Sequence, residues 1–97
     1  MRIVTFKRIR VFSEKYPDSK TALEEWYYKT SGAKWRKPAD LKITFNSADY
    51  IGNNRFVFNI KGNHYRLVAI IIFASQKVYI RFIGTHEEYN KTDCRTI

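Results

Sequence analysis

The residues of this 97-residue chain best suited to chemistry are cations and proton carriers. The segment Gly84-Thr85-His86-Glu87-Glu88-Tyr89 sets His86 and Tyr89 three positions apart, so a helical turn would project both from one side. Histidine is the side chain best tuned for proton transfer near neutral pH. Upstream, Asn59, Lys61, His64 and Arg66, followed by Lys77, Tyr79 and Arg81, recur within two segments of strand-like alternation. Cations gathered without matching acids call for an anion between them, and phosphate fits, since Arg binds it bidentately. No Walker loop, GxSxG, HExxH, EF-hand or Cys/His metal spacing is present. Two histidines without convergent acids do not suggest a metal site.

Composition points the same way. Lys and Arg total 18 against 9 acids, a net charge of +9. That imbalance favours a polyanionic partner, either nucleic acid or an anionic membrane surface. Hydrophobic residues at 44% and aromatics at 16% suffice for a packed core and exclude wholesale disorder. The single cysteine, Cys94, excludes an internal disulfide framework and a Cys-based zinc finger. Met1-Arg2 is followed by only two apolar residues before Thr5, not by the apolar stretch of a secretory signal. The longest apolar run, Leu67 to Ala74, falls far short of the ~20 residues a membrane helix needs. We therefore expect a reduced, cytoplasmic protein with one domain over residues 1–97.

The elements that must position these residues change character near residue 54. Arg2 to Thr5 reads as a short opening strand. Phe6, Ile9, Phe12 and Tyr16 form a helical stripe that Pro17 ends. Asp18 or Ser19 can cap a second helix with Leu23, Trp26, Tyr27 and Thr30 inward and Gly32 as its stop. Pro38 and Asp40 can open a short third helix with Leu41 and Phe45 inward, and Asn46 to Asn54 reads as a polar loop.

From Arg55 the period is two. Gly62-Asn63 is a two-residue hairpin turn, so opposed residues sum to 125: Asn59 faces Arg66 and Lys61 faces His64. A second turn at Ala74-Ser75 makes opposed residues sum to 149, so Ile70 meets Tyr79 and Val68 meets Arg81. Asn59, Lys61, His64, Arg66, Lys77, Tyr79 and Arg81 then share one face, a polar cationic shelf. Phe56, Phe58, Ile60, Leu67, Ala69, Ile71, Phe73, Val78, Ile80 and Phe82 share the other, which the helices must cover. The expected class is α+β, with N-terminal helices on one face of a mainly antiparallel sheet.

Surface cations also occur without function, and Lys protects sheet edges. Like charges on facing strands repel, however, unless an anion lies between them. Two functional classes accommodate the shelf. A binding module would grip phosphates and stack bases on Tyr79; a ribonuclease would add groups that move protons.

The segments Lys15-Tyr16-Pro17, Leu23-Glu24-Glu25-Trp26, Pro38-Ala39-Asp40-Leu41-Lys42, Phe56-Val57-Phe58-Asn59-Ile60, Gly62-Asn63-His64-Tyr65-Arg66-Leu67-Val68 and Thr85-His86-Glu87-Glu88-Tyr89 resemble, in order, the HigB-type toxins of type II toxin–antitoxin systems, within the RelE-like superfamily. The resemblance implies a RelE-like α+β fold and an mRNA interferase that cuts translated mRNA on the ribosome without metal or other cofactor. It also implies neutralisation by a cognate helix-turn-helix antitoxin of HigA type, with operator DNA bound only through that complex. Arg66 and Arg81 match positions where the superfamily holds phosphate-binding arginines, and His86 and Tyr89 match a region of proton-transfer groups. These four are the expected catalytic residues; Asn59, Lys61, His64, Lys77 and Tyr79 are expected to contact RNA. The alternatives are a non-catalytic basic RNA-binding module and an inactive toxin homologue.

Overall fold

A computed structural model describes residues 1–97, which run β1 (Arg2–Ile3), α1 (Phe6–Lys15), a 3₁₀ turn (Pro17–Ser19), α2 (Lys20–Ser31), α3 (Pro38–Thr44), β2 (Asp49–Gly52), β3 (Arg55–Ile60), β4 (Tyr65–Ile72), β5 (Lys77–Thr85) and α4 (His86–Asn90). The strands form one sheet in the order β1-β5-β4-β3-β2, with β1 parallel to β5 and every other pairing antiparallel. The class is α+β, as the change of period near residue 54 implies.

The three- and four-residue spacing of α1 buries Ile9 and Phe12, while Phe6 stays half exposed against Tyr27. Tyr16 leaves helical geometry ahead of Pro17, as the ring of a following proline demands. The cap expected for α2 is absent. Pro17–Ser19 winds straight into the helix, so Ser19 has helical dihedrals (φ −86, ψ −13) rather than the extended ones a cap uses. Its hydroxyl donates to the Tyr16 carbonyl at 2.7 Å. Leu23, Trp26 and Thr30 of α2 are buried, as is Leu41 of α3. These helices cover Phe56, Phe58, Ile60, Leu67, Ala69, Ile71, Val78 and Ile80, all at most 2% exposed. Each large side chain there contributes about 1.5–3 kcal/mol of hydrophobic stabilisation.

The first hairpin has the expected register, with Asn59 opposite Arg66 and Val57 opposite Val68. Gly62 supplies φ +63 at the turn, and the His64 amide closes it on the Lys61 carbonyl at 3.2 Å. Three expectations fail elsewhere. First, Asp49–Gly52 is an edge strand on β3 rather than loop, with a register shift after Tyr50; so short and polar a segment carries no alternation of its own. Second, the β4–β5 pairing sums to 149 only as far as Ala69–Ile80. A bulge then sets Val68 opposite Phe82, so Arg81 has no partner and the expected Val68–Arg81 pair does not form. Downstream of the bulge the side chains change face. Ile83 joins the core and Phe82 moves to the opposite face, where the uninterrupted register had not put it.

Third, that opposite face is not wholly polar. Val57 and Val68 are 3% and 0% exposed beneath Cys94, and Ile51, Phe82, Tyr89 and Ile97 pack around them. The chain after α4 is laid across the face by Arg55, whose Nε donates to the Ile97 main-chain oxygen at 2.9 Å, and by Asn53, whose side-chain amide donates to the Arg95 carbonyl at 2.9 Å. The cationic surface is thereby divided into two ends.

Candidate active site

The end of the sheet where β3, β4 and β5 approach α4 gathers most of the expected residues. Register places Asn59, Arg66 and Gly84 in one row across the three strands. The guanidinium of Arg66 lies over the Tyr89 ring, 5.2 Å from carbon to ring centroid, a cation–π contact. Its Nε is buried and meets no protein acceptor. The four ion pairs of the molecule, Lys29–Glu25, Lys61–Asp18, Lys91–Glu87 and Arg95–Asp93, leave Arg66 and Arg81 without a carboxylate. Arg66 is therefore positioned, charged and uncompensated, the state that attracts a phosphate. Burial raises the Tyr89 hydroxyl above the ordinary tyrosine range, against the weaker opposing pull of Arg66, so Tyr89 stays protonated and can donate but not act as a base.

One row further on, the His86 amide donates to the His64 carbonyl at 3.3 Å, extending the ladder past Tyr65–Thr85. The backbones of the two histidines thus meet where the first hairpin turn abuts the start of α4. Their hydrogen bonds assign opposite tautomers. His64 Nδ1 lies 2.8 Å from the Lys61 carbonyl, which only accepts, so Nδ1 carries hydrogen and the lone pair of neutral His64 sits on Nε2. His86 Nδ1 lies 3.3 Å from the Asn90 amide nitrogen, which only donates, so the hydrogen of neutral His86 sits on Nε2.

α4 begins at His86 because Thr85 and Glu88 form a capping box: the Thr85 hydroxyl accepts from the Glu88 amide at 3.1 Å, and Glu88 Oε1 accepts from the Thr85 amide at 2.8 Å. That backbone bond, with smaller help from Lys15, holds the Glu88 carboxyl below the usual range. Glu88 is an ionised anchor rather than a proton donor.

The remaining expected residues are dispersed. The Lys61 ammonium is 2.9 Å from the Asp18 carboxylate, which also accepts from the Tyr65 hydroxyl at 2.6 Å. Lys77 is at the far end of β5, opposite Ile72 and beside Arg2, about 26 Å from Thr85 at ~3.3 Å per residue. Tyr79 faces Ile70 in the same half of the strand, and Arg81 is the exposed, unpaired residue of the bulge, its carbonyl accepting from Arg8 at 3.2 Å. Nowhere do three His, Cys, Asp or Glu side chains converge as a metal site would need, and no helix is long and apolar enough to cross a membrane.

Residues 19–92 match the family described as "HigB_toxin, RelE-like toxic component of a toxin-antitoxin system". The chain is also 40% identical over 93 residues to the mRNA interferase toxin HigB of Escherichia coli K12, an alignment covering 93% of this chain and 88% of that one. The chain belongs to the HigB toxin family. Its partner is accordingly an antitoxin. A HigB mRNA interferase of Shigella flexneri is similar to the same degree, 40% over 93 residues with the same coverage, and one of E. coli O6:H1 is 26% identical over 93 residues, spanning 94% of this chain and 90% of that one.

Three residues of this candidate site were not singled out from the sequence. Thr85-x-x-Glu88 is a legible capping-box signature that identifies Glu88. Asn90 had no such signal, because its part depends on the position of His86. Gly84 is needed because a Cβ there would lie 2.5 Å from Cζ of Phe82, two residues earlier on the same face of β5.

Proposed function

We propose that this chain is an mRNA-cleaving endoribonuclease toxin, one domain over residues 1–97, acting in the cytoplasm on ribosome-bound mRNA. The observation that carries the reading is that, in a HigB-family chain, an uncompensated Arg66 held by Tyr89 lies at the end of the sheet where the His86 amide bonds the His64 carbonyl. In this reading His64 Nε2 takes the proton of the 2′-hydroxyl as its oxygen attacks the adjacent phosphorus. Arg66, held by Tyr89, stabilises the charge that develops on the phosphorane oxygens, and Asn59 beside it orients the phosphate. His86, entering the step as the imidazolium after taking a proton from solvent, delivers it from Nε2 to the departing 5′-oxygen and returns to the neutral form. The products are a 2′,3′-cyclic phosphate and a 5′-hydroxyl. Arg81 contributes charge from the bulge, while Lys77 and Tyr79, at the distant end, contact RNA or ribosome away from the scissile bond. Lys61 contributes chiefly by anchoring the turn that carries His64. The antitoxin is a HigA-like helix-turn-helix protein through which the complex binds operator DNA.

The test is cleavage on programmed ribosomes with chelator present. Arg66→Ala should lose about 10²–10³-fold in rate, and His86→Ala and His64→Ala each about 10²–10⁴-fold, with circular dichroism unchanged. Ribosome binding without any cleavage by the wild-type chain would instead establish the non-catalytic or inactive reading. Wild-type rates in both histidine variants would remove the acid–base assignment.

A further inference from the structure

Outside the RNA face, the helical layer carries an open groove of about 620 Å³ between α1 and β5. Its floor includes Val4, Val11 and Ile83, and its rim carries Lys7, Arg8 and Lys15, with no acidic residue among the lining. Val4 and Val11 are 47% and 53% exposed, and with Phe12 and Ile83 they line one groove rather than standing as isolated exposed residues. Contiguous apolar patches with a charged border mark interaction sites.

We propose that this groove seats an amphipathic segment of the antitoxin, apolar on the face turned inward and acidic along its flanks. This rests on the toxin reading above and adds the surface at which the partner docks. Charge complementarity selects the occupant. A second copy of this chain would oppose three cations to three cations, which repel. RNA gains little from an aliphatic floor, since bases bind by stacking on aromatic rings. A bilayer presents no ridge to fill a concave groove. An acidic amphipathic helix or strand satisfies both the floor and the rim, as helix-in-groove recognition does elsewhere. Because Ile83 faces the helical side of the sheet, across from Leu67, the occupant would lie on the layer opposite Arg66.

The experiment uses the full chain and the product of the open reading frame adjacent to its gene. Lys7→Glu and Val11→Glu lie on the exposed side of α1 and away from the residues assigned to cleavage. Each should weaken the dissociation constant for that product roughly 10- to 100-fold and abolish rescue from growth arrest, while toxicity and ribosome cleavage stay at wild-type levels. Unchanged affinity and full rescue in the Lys7→Glu/Val11→Glu double variant would overturn the docking site while leaving the toxin reading intact. Loss of cleavage in either folded variant would assign the groove to the RNA footprint and likewise overturn it. A wild-type chain that is neither toxic nor neutralised by its neighbour would overturn the toxin reading itself.

Discussion

Replacing Gly84 by alanine tests how the packing of Phe82 over Gly84 supports the site. The backbone of Gly84 is one any residue adopts, so the effect is purely one of space. A Cβ would sit 2.5 Å from Phe82 Cζ and 3.1 Å from Cε1. Carbon atoms pack at about 3.5 Å or more, so the ring must retreat by about 1 Å. Its neighbours are Val57, Val68 and Cys94 beneath and Tyr89, with ring centroids 6.3 Å apart, beside it. Forcing a methyl group into such packing costs about 1–3 kcal/mol, which for a domain of this size lowers the melting temperature by roughly 5–20 °C. Tyr89 in turn supports the Arg66 guanidinium, and misplacing a charge-stabilising group by about 1 Å costs on the order of 10²-fold in rate. Gly84→Ala should therefore lose both stability and cleavage. In a Phe82→Ala background the same substitution should be nearly neutral, a coupling of about the full 1–3 kcal/mol in a double-mutant cycle. Thermal melts and cleavage assays of the four proteins decide the matter. A Gly84→Ala protein melting within about 1 °C of wild type, or one equally destabilised with and without the Phe82 ring, would refute the reasoning.

Other expectations follow from the same geometry. The Tyr65 hydroxyl bonded to Asp18 is pushed up to about 12, and that bond, ahead of the one from Lys61, lowers the Asp18 carboxyl. A lowered acid contributes stability present above its unfolded value and lost as pH falls through its folded one, whereas the raised tyrosine contributes stability lost as pH rises from about 10 to about 12. The stability difference between wild type and Tyr65→Phe in urea melts should thus be flat near neutrality and shrink at both extremes; a constant difference across the range would contradict the assignment. Binding of a short RNA should weaken steeply as salt rises, and Arg66→Ala should reduce the slope of log affinity against log salt, measured by fluorescence anisotropy. Cys94 is 3% exposed and burial raises its thiol above the usual range, so thiol reagents should modify it far more slowly in the native protein than after denaturation; equal rates would show that the segment over Val57 and Val68 is not packed down.

What the sequence by itself determined was whatever depends on local periodicity and short-range turn chemistry. The Gly62-Asn63 turn sets Asn59 opposite Arg66 because strand pairing from a tight turn is a matter of counting, and the alternation along β4 identifies Leu67, Ala69 and Ile71 as core. The interrupted stripe before Pro17 likewise marks the end of α1. The family resemblance, carried by the same blocks, extended this to activity. Tertiary structure alone decided where one residue is inserted without a partner: no pattern in Arg81-Phe82-Ile83 announces the bulge, since Phe82 packs with Val57, Val68 and Cys94, residues distant in sequence. It also decided that Lys61 pairs with Asp18, 43 residues away, and that Cys94 lies on Val57 and Val68, dividing a surface that alternation presents as continuous. The meeting of His64 with His86 arises likewise, because the His86 amide reaches the His64 carbonyl only where the hairpin turn and the capped helix come together, residues 22 positions apart in the chain.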